Sequence, residues 1–221
     1  MLTDIPLNHF LSILSSDAPA PGGGSAAALT GALGASLITM VCRLSIGRRD
    51  LEPYQDDLLS VLEEAAKIRN DLSVLLEKDT DAFNQVMEAL KMPKTTNRDR
   101  SLRASAILTA VRAATDIPLQ VSRQSCLLLE LSLALVHKSN PNVFSDLGVA
   151  AQCCYAGTVG GLLNVGANLR LVNDADYASM VISESQLILM KADSCKKDID
   201  LAIEQEYFGE LNVSRMEFAG K

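Results

Sequence analysis

The sequence is poor in aromatic residues and in positive charge, and both shortages restrict the classes of protein it can belong to. Aromatic residues make up 4% of the 221 positions and tryptophan is absent, whereas 48% of the residues are hydrophobic. The core must therefore be built from Ala, Leu, Val, Ile and Met, a composition typical of helical bundles. The 20 basic residues are outnumbered by 27 acidic ones, and the net charge of −7 argues against a nucleic-acid partner.

Residues that bind metals or form disulfides are also few. The five cysteines include no C-x-x-C pair, and Cys153 and Cys154 are adjacent, which is poor geometry for a disulfide framework. The two histidines, His9 and His137, have no second ligand at the spacing of the usual zinc sites. The N-terminal segment lacks the pattern of a signal peptide. We therefore expect a reduced, cytoplasmic protein without a metal.

The alternation of apolar and polar residues that marks strands is missing, and long helical periodicity takes its place. The sequence predicts an all-α fold: a single helical domain over residues 1–221, built as a bundle of about six mainly long helices. The predicted helices span residues 6–15, 24–46, 52–90, 98–136, 140–172 and 174–207. We expect Pro118 to kink or interrupt the fourth helix, and residues 209–221 to be loosely held.

One segment is long and uncharged enough to require a membrane check. No charged residue occurs from Ala18 to Cys42. However, Pro19, Pro21 and three glycines stand at the start of this segment, and its first half consists of small residues rather than large hydrophobic ones. A buried Gly/Ala-rich helix that packs through small residues is therefore favoured over a membrane span. Because the second and fifth helices are apolar on every side, each must be covered by its own chain or by a partner subunit.

An aspartate interrupts the apolar face of the third helix. At 100° per residue, Asp79 falls between Leu75 and Phe83, whereas Asp81 points to the opposite side. A carboxylate on a buried face is costly unless it has a partner or a task. Asp79 is therefore either a core residue that caps another helix or pairs with arginine, or a general acid or base.

The fifth helix carries a stripe of small residues with polar groups at both ends. Asp146 begins the stripe, Gly157 and Gly161 lie in its middle, and Asn164 and Asn168 end it. Two interpretations are open. The glycines form the floor of a groove that holds a flat polar ligand, or they permit close helix packing while the backbone satisfies each asparagine.

Small residues and cations mark several helix ends. Four small residues introduce the second helix, where free backbone N–H groups suit an anion or a carbonyl oxygen: Gly22, Gly23, Gly24 and Ser25. Arg48 follows that helix, and Lys94 follows the next. Each cation either binds a carboxylated ligand or interacts with the helix dipole.

Taken in order, these motifs resemble a known family. They are Ala20-Pro21-Gly22-Gly23-Gly24-Ser25, Gly47-Arg48-Arg49, Asp79-Thr80-Asp81-Ala82-Phe83, Met92-Pro93-Lys94, Ser145-Asp146-Leu147, and Asn164 with Asn168. Over about residues 4–207 the chain resembles the cyclodeaminase half of formiminotransferase-cyclodeaminase and the stand-alone methenyltetrahydrofolate cyclohydrolases of the same family. The resemblance implies an all-α homodimer that acts on a tetrahydrofolate derivative with no metal or further cofactor.

The implied chemistry agrees with the acidic residues singled out above. Cyclodeamination closes a ring onto the formimino carbon and releases ammonia, whereas cyclohydrolysis adds water to the same carbon of 5,10-methenyltetrahydrofolate. Both reactions need proton transfer at nitrogen and favour a negative charge beside a cationic carbon. Asp79 and Asp146 are therefore the candidate catalytic residues. Because the formiminotransferase half is missing, either activity is open.

The remaining motif residues have binding roles under this resemblance. Asn164 and Asn168 are expected to orient the pterin or the one-carbon unit. Arg48 and Lys94 are expected to meet the glutamate tail, and the backbone of Gly22 to Ser25 is expected to line the pocket. A non-catalytic helical protein that binds folate or a partner through the same groove is the alternative.

Overall fold

The fold is described by a computed structural model that covers the backbone of residues 1–218 and the side chains of residues 1–209. Within this part of the chain all regular structure is helical, so the all-α prediction is confirmed. The α-helices are α1 (Leu7–Leu14), α2 (Gly23–Arg43), α3 (Gln55–Lys91), α4 (Asn97–Leu135), α5 (Phe144–Leu169) and α6 (Ala175–Phe218). Short 3-10 helices lie at Leu2–Asp4, Arg49–Tyr54 and Pro141–Val143.

Most helix ends fall within a few residues of the predicted ones, and the end of α6 is the exception. Pro118 lies inside α4 and does not interrupt it. Helix α6 continues past Gly209 to Phe218, so the predicted end near Tyr207 is wrong. A single glycine costs a helix only about 1 kcal/mol and does not by itself end one. The expectation of a loosely held tail concerns side chains that lie outside the described residues.

The start of α4 shows how local sequence sets a boundary after the proline at position 93. Thr96 accepts a hydrogen bond from the Asp99 backbone N–H at 3.1 Å, and the Asp99 carboxylate accepts one from the Thr96 N–H at 2.9 Å. This reciprocal capping box satisfies two N–H groups at the helix start that no helical partner can reach. It fixes where α4 turns back to pack against α3.

Helices α2 and α5 lie side by side in opposite directions. Small residues allow their close approach: a Cβ on Gly34 would lie 3.0 Å from the Ala150 carbonyl oxygen, and one on Gly160 would lie 3.0 Å from the Ala27 Cβ. Helices α3, α4 and α6 complete a common core in which each long helix contributes fully buried residues, among them Ile38, Leu72, Leu128, Leu147 and Ile199.

One side of the α2 and α5 pair remains uncovered. Helix α2 is long and apolar enough to cross a membrane, and 56% of its most apolar window is buried within the fold. Leu33 on α2 is 52% exposed, and Val149 and Leu163 on α5 are 53% and 70% exposed. The sequence carries no charge from residue 18 to 42 or from 147 to 169. We call this uncharged surface, marked by Leu33, Val149 and Leu163, the α2/α5 face.

Candidate active site at the N-terminus of α2

A cavity of about 340 Å³ lies where the N-terminus of α2 meets α3, α4 and α5. Its polar lining consists of residues singled out in the sequence: Gly22, Gly23, Gly24, Asp79, Asn164 and Asn168. Its apolar lining consists of Pro19, Ala20, Phe83, Val86, Met87, Leu90, Ala114 and Leu171. The fold thus brings together six predicted site residues from three separate stretches of sequence.

Asp79 contacts the first turn of α2 and faces the cavity. The buried Ser25 hydroxyl donates a hydrogen bond to Asp79 Oδ2 at 2.8 Å. Gly22, the residue before α2, has no side chain with which to cap that helix. Burial raises the pKa of the Asp79 carboxyl, and hydrogen bonds from the Ser25 hydroxyl and backbone N–H oppose this rise. Asp79 has no arginine partner within the described part of the chain, and its role as a general acid or base stays a prediction.

Two glycines allow side chains to approach the backbone at the start of α2. A Cβ on Gly24 would overlap the carboxylate of Asp79, so no larger residue fits without moving that group. A Cβ on Gly23 would lie 3.3 Å from Asn164 Nδ2, which is also tight. The glycine-rich segment therefore makes room for the polar side chains that line the cavity.

Both asparagine amides are held by backbone carbonyl groups. Asn164 Nδ2 donates to the Gly160 carbonyl oxygen at 2.8 Å, and Asn168 Nδ2 donates to the Ala114 carbonyl oxygen at 2.7 Å. The backbone thus satisfies the NH₂ group of each asparagine but not its amide oxygen. Neither Oδ1 atom has a hydrogen-bond partner within the described part of the chain, so each is left as an acceptor at the cavity.

The apolar stripe that surrounds Asp79 on α3 forms a wall of the cavity. Phe83, Val86, Met87 and Leu90 follow Asp79 along the helix for about 16 Å, at a rise of about 1.5 Å per residue. Met87 and Leu90 are 38% and 39% exposed, so the stripe is not wholly core. Helical periodicity set Phe83 on this face beside Asp79, whereas nothing in the sequence pointed to Ala114 or Leu171.

Two predicted site residues lie at the other end of the α2 and α5 pair. Asp146 is in the first turn of α5, about 27 Å along the helix from Asn164. Arg48 follows α2 and forms an ion pair with Asp50 at 2.8 Å. We call the end that holds Asp79 and Asn164 the pocket end, and the end that holds Asp146 and Arg48 the opposite end. Within one chain the two candidate catalytic carboxylates are not brought together.

Lys94 does not line the cavity. It is exposed in the loop after α3, four residues beyond Leu90, and its carbonyl oxygen accepts a hydrogen bond from Arg100 Nε at 3.1 Å. Leu90 lines the end of the cavity farthest along α3 from Asp79. Lys94 follows that end in the sequence and is exposed.

The groove predicted over Gly157 and Gly161 is wrong. A Cβ on Gly157 would lie 2.8 Å from Ser125 Oγ, and one on Gly161 would lie 2.7 Å from the Pro118 carbonyl oxygen. Helix α4 fills the space that a ligand would need, so these glycines serve close helix packing. The alternative interpretation of the small-residue stripe is confirmed.

No set of three His, Cys, Asp or Glu side chains among the described residues is arranged to hold a metal ion. All five cysteines are free thiols, and Cys42, Cys126, Cys154 and Cys195 are buried. Burial raises the pKa of Cys126 to about 11 and that of Cys42 to about 12, which disfavours the reactive thiolate at neutral pH.

Comparison with known proteins places the chain in a family. Residues 6–186 match the family described as formiminotransferase-cyclodeaminase. The chain is 38% identical over 193 residues to the methenyltetrahydrofolate cyclohydrolase of Methylorubrum extorquens. This match covers 87% of this chain and 93% of that protein. It is 34% identical over 173 residues to the formimidoyltransferase-cyclodeaminase of Mus musculus, covering 78% of this chain.

The chain spans only 32% of the length of that mouse protein. A solved structure, that of formiminotetrahydrofolate cyclodeaminase from Thermotoga maritima, shares the fold with a TM-score of 0.84 and 24% identity. That match covers 92% of this chain and 98% of the other. From the family match and the 38% identity along nearly the whole length of the bacterial relative, the chain belongs to the formiminotransferase-cyclodeaminase family.

Proposed function

We propose that the protein is a methenyltetrahydrofolate cyclohydrolase, an enzyme that acts on the one-carbon unit of 5,10-methenyltetrahydrofolate. The observation that carries this proposal is the cavity in which a partly desolvated carboxylate, two free amide oxygens and a long apolar wall converge. The nearly full-length match to a cyclohydrolase favours this activity. Formiminotetrahydrofolate cyclodeaminase activity is the second candidate, favoured by the identity with the mouse cyclodeaminase.

The shape of the cavity fits an elongated, flat ligand. The polar groups cluster near Asp79, and the apolar wall extends for about 16 Å from there to Leu90. We place the pterin and the one-carbon unit among Asp79, Asn164 and Asn168, with the aromatic ring of the folate against Phe83. The glutamate tail then leaves past Leu90, where the exposed Lys94 can pair with its carboxylates.

Asp79 is suited to the proton transfers that either reaction requires. In cyclohydrolysis, water adds to the cationic amidinium carbon, and the tetrahedral adduct breaks one C–N bond to leave a formyl group and release one proton. A carboxylate of raised pKa accepts the proton of the attacking water more effectively than an ordinary one, and its charge stabilises the cation. In cyclodeamination, N10 attacks the formimino carbon, and the same carboxylate transfers the proton that lets ammonia leave.

A second copy of the chain is our proposed occupant of the α2/α5 face. The surface is uncharged, includes Leu33, Val149 and Leu163, and lies on two antiparallel helices. A two-fold axis through the middle of such a face makes the same surface contact itself, the commonest arrangement of homodimers. We accordingly propose a cytoplasmic homodimer that does not insert into a membrane. Light scattering tests this, because a monomer at micromolar concentration would contradict it.

The same two-fold arrangement provides a role for the residues at the opposite end. We place the two-fold axis in the α2/α5 face and perpendicular to its helices, an arrangement that sets the opposite end of one subunit beside the pocket end of the other. Asp146 and Arg48 of one chain then lie near Asp79 of its partner. We propose that each site is composite, with Asp146 as the second catalytic carboxylate and Arg48 as a tail contact.

Subunit complementation tests the composite site. Asp79→Asn and Asp146→Asn are each expected to lower kcat by about 10²-fold or more. When the two variants are mixed in equal amounts and exchange subunits, half of the dimers contain one chain of each variant. Each of these mixed dimers retains one intact site. The mixture should recover about a quarter of wild-type activity. Absence of recovery would show that Asp146 does not act across the interface.

The activity itself is tested with purified protein and two substrates. Loss of the absorbance of 5,10-methenyltetrahydrofolate would support the cyclohydrolase. Release of ammonia from 5-formiminotetrahydrofolate, with appearance of that absorbance, would support the cyclodeaminase. Tight binding of either folate without turnover would favour the non-catalytic binding protein instead, and neither binding nor turnover would reject the folate proposal.

A further inference from the structure

A proline inside α4 leaves one backbone carbonyl group without its helical partner. In an α-helix the N–H of residue 118 would donate to the carbonyl oxygen of Ala114, but Pro118 has no N–H. Ala114 lines the cavity, and its carbonyl oxygen accepts a hydrogen bond at 2.7 Å from Asn168 Nδ2, across from α5. The asparagine thus replaces the missing helical donor.

This replacement fixes which way the Asn168 amide points. A carbonyl oxygen only accepts hydrogen bonds, so the Asn168 atom that meets it must be the NH₂ nitrogen. The amide oxygen of Asn168 is therefore turned away from Ala114 and left at the cavity. Any other residue at position 118 would offer its own N–H to Ala114 and would draw that carbonyl back toward the helix axis, weakening the hold on Asn168.

The orientation matters because the other polar side chains of the cavity also accept. The carboxylate of Asp79 is an acceptor when ionised, and Asn164 gives its NH₂ group to Gly160. The side chains that line the cavity include no lysine or arginine. Three acceptor groups therefore converge there without a cationic partner, which favours a ligand that carries N–H donors or positive charge at that point.

We propose that Pro118 is a positioning residue that withholds a backbone N–H from Ala114, so that Asn168 turns its amide oxygen into the cavity and selects a cationic or N–H-rich ligand. This inference rests on the proposed function for the identity of the ligand, the cationic 5,10-methenyl group of a folate. It does not rest on that function for the geometry, which involves only this chain.

Pro118→Ala separates positioning from packing. Because proline is unfavourable inside a helix, the variant is expected to unfold at the same or a higher temperature. We nevertheless expect it to bind 5,10-methenyltetrahydrofolate roughly 3- to 10-fold more weakly, the scale of one hydrogen bond. Neutral 5-formyltetrahydrofolate should lose less affinity. Unchanged affinity for the cation, or an equal loss for both ligands together with a lower unfolding temperature, would overturn the proposal.

A double-mutant cycle with Asn168→Ala tests whether Pro118 acts through that side chain. If it does, Pro118→Ala causes no further loss of affinity when Asn168 is already alanine. A full additional loss would overturn the proposal.

A second measurement is independent of ligand. The side-chain NH₂ resonances of Asn168 in ¹⁵N NMR spectra should shift, and their hydrogen exchange should accelerate, in Pro118→Ala. If wild-type protein binds no folate, the proposed function fails and the ligand selection fails with it, whereas these resonances still decide the positioning role. Unchanged resonances would reject that role.

Discussion

The two ends of the α2 and α5 pair use polar residues in different ways. At the opposite end, polar groups form hydrogen bonds with one another. Asn140 Nδ2 donates to the Leu44 carbonyl oxygen at 3.0 Å, and the Asn140 N–H donates to Ser45 Oγ at 2.8 Å. Arg48 pairs with Asp50, only two residues away. Within one chain these contacts tie the end of α2 to the segment before α5.

At the pocket end, the polar groups come from different helices and keep acceptor atoms free. Asp79 from α3 accepts a hydrogen bond from Ser25 of α2, while Asn164 and Asn168 from α5 leave their amide oxygens at the cavity. The contrast teaches that polar residues at a helix end do not by themselves indicate a site. What distinguishes the pocket end is that each of these side chains is held by one contact and keeps an acceptor oxygen at the cavity.

The largest expected effect tests this distinction at Asp79. Asp79→Asn keeps the shape of the side chain and can still accept from Ser25, but it cannot take a proton, so we expect kcat to fall by about 10²-fold or more. Asp81→Asn, on the exposed side of the same helix, is the matched control and should retain wild-type activity. Steady-state kinetics with 5,10-methenyltetrahydrofolate measures both. Equal activity of the two variants would remove Asp79 from the mechanism.

A smaller loss is expected from Gly24→Ala. The new methyl group would overlap the Asp79 carboxylate and displace it, which should lower kcat by about tenfold, as small displacements of reacting groups do. Gly166→Ala is the control, because nothing lies within 4 Å of a Cβ at that position on α5. It should keep full activity and gain slightly in stability. Loss of activity in both variants to the same degree would contradict the role of Gly24.

Removal of the two cations should raise KM several-fold and change kcat less, because the tail is remote from the reacting carbon. Lys94→Ala tests the proposed tail contact within one chain, whereas Arg48→Ala affects binding only if a partner subunit brings Arg48 to the cavity. Both effects should shrink at high salt. Titration with mono- and polyglutamylated tetrahydrofolate measures them. Equal affinities of wild type and both variants for both tail lengths would make these cations ordinary helix-end residues.

Gly23→Val offers a salt-independent comparison with the cation variants. Its side chain would crowd Asn164, since even a Cβ at this position lies 3.3 Å from Nδ2. Binding should weaken to the same extent at low and high salt, because no charge is removed. A salt-dependent loss would mean that the substitution disturbs an ionic contact.

The smallest effect concerns stability. Because burial raises the folded-state pKa of Asp79 above its ordinary 3.8, the folded protein binds this proton more tightly than the unfolded chain, and stability falls as the pH rises through that range. Asp79→Asn removes this loss. Relative to the wild type, the free energy of unfolding of the variant should increase as the pH rises above about 4. The increase should be about 1.4 kcal/mol for each pH unit by which the pKa of Asp79 is raised. A relative loss over this range in urea titrations would contradict it.

Much of the pocket end could be predicted because its residues break the pattern around them. Asp79 interrupts an apolar face, and Gly22 to Gly24 form a run of three glycines in a segment without charge from residue 18 to 42, so each stands out in the sequence. The groove over Gly157 and Gly161 could not be judged in the same way. Small residues make the same pattern whether a ligand or a helix lies opposite, and the answer depended on Ser125 and Pro118 of α4.

The distance between the two carboxylates exposes a limit of helical periodicity. The helical angle sets Asp146 and Asn164 on one side of α5 but takes no account of the rise along the axis, about 27 Å between them. A small ligand bound at Asn164 cannot reach across that distance to Asp146 of the same chain. The role of Pro118 was also hidden, because a proline predicts a kink but not which distant side chain meets the carbonyl that it frees.

The placement of Asp79 and Asp146 at opposite ends of one chain has a genetic consequence under the proposed two-fold arrangement. A chain with one of these residues changed leaves one working site when it pairs with a wild-type chain, so such an allele would be largely recessive. A chain with both residues changed inactivates both sites of every mixed dimer. When it is expressed beside the wild type, activity would fall with the square of the wild-type fraction, and the allele would be dominant.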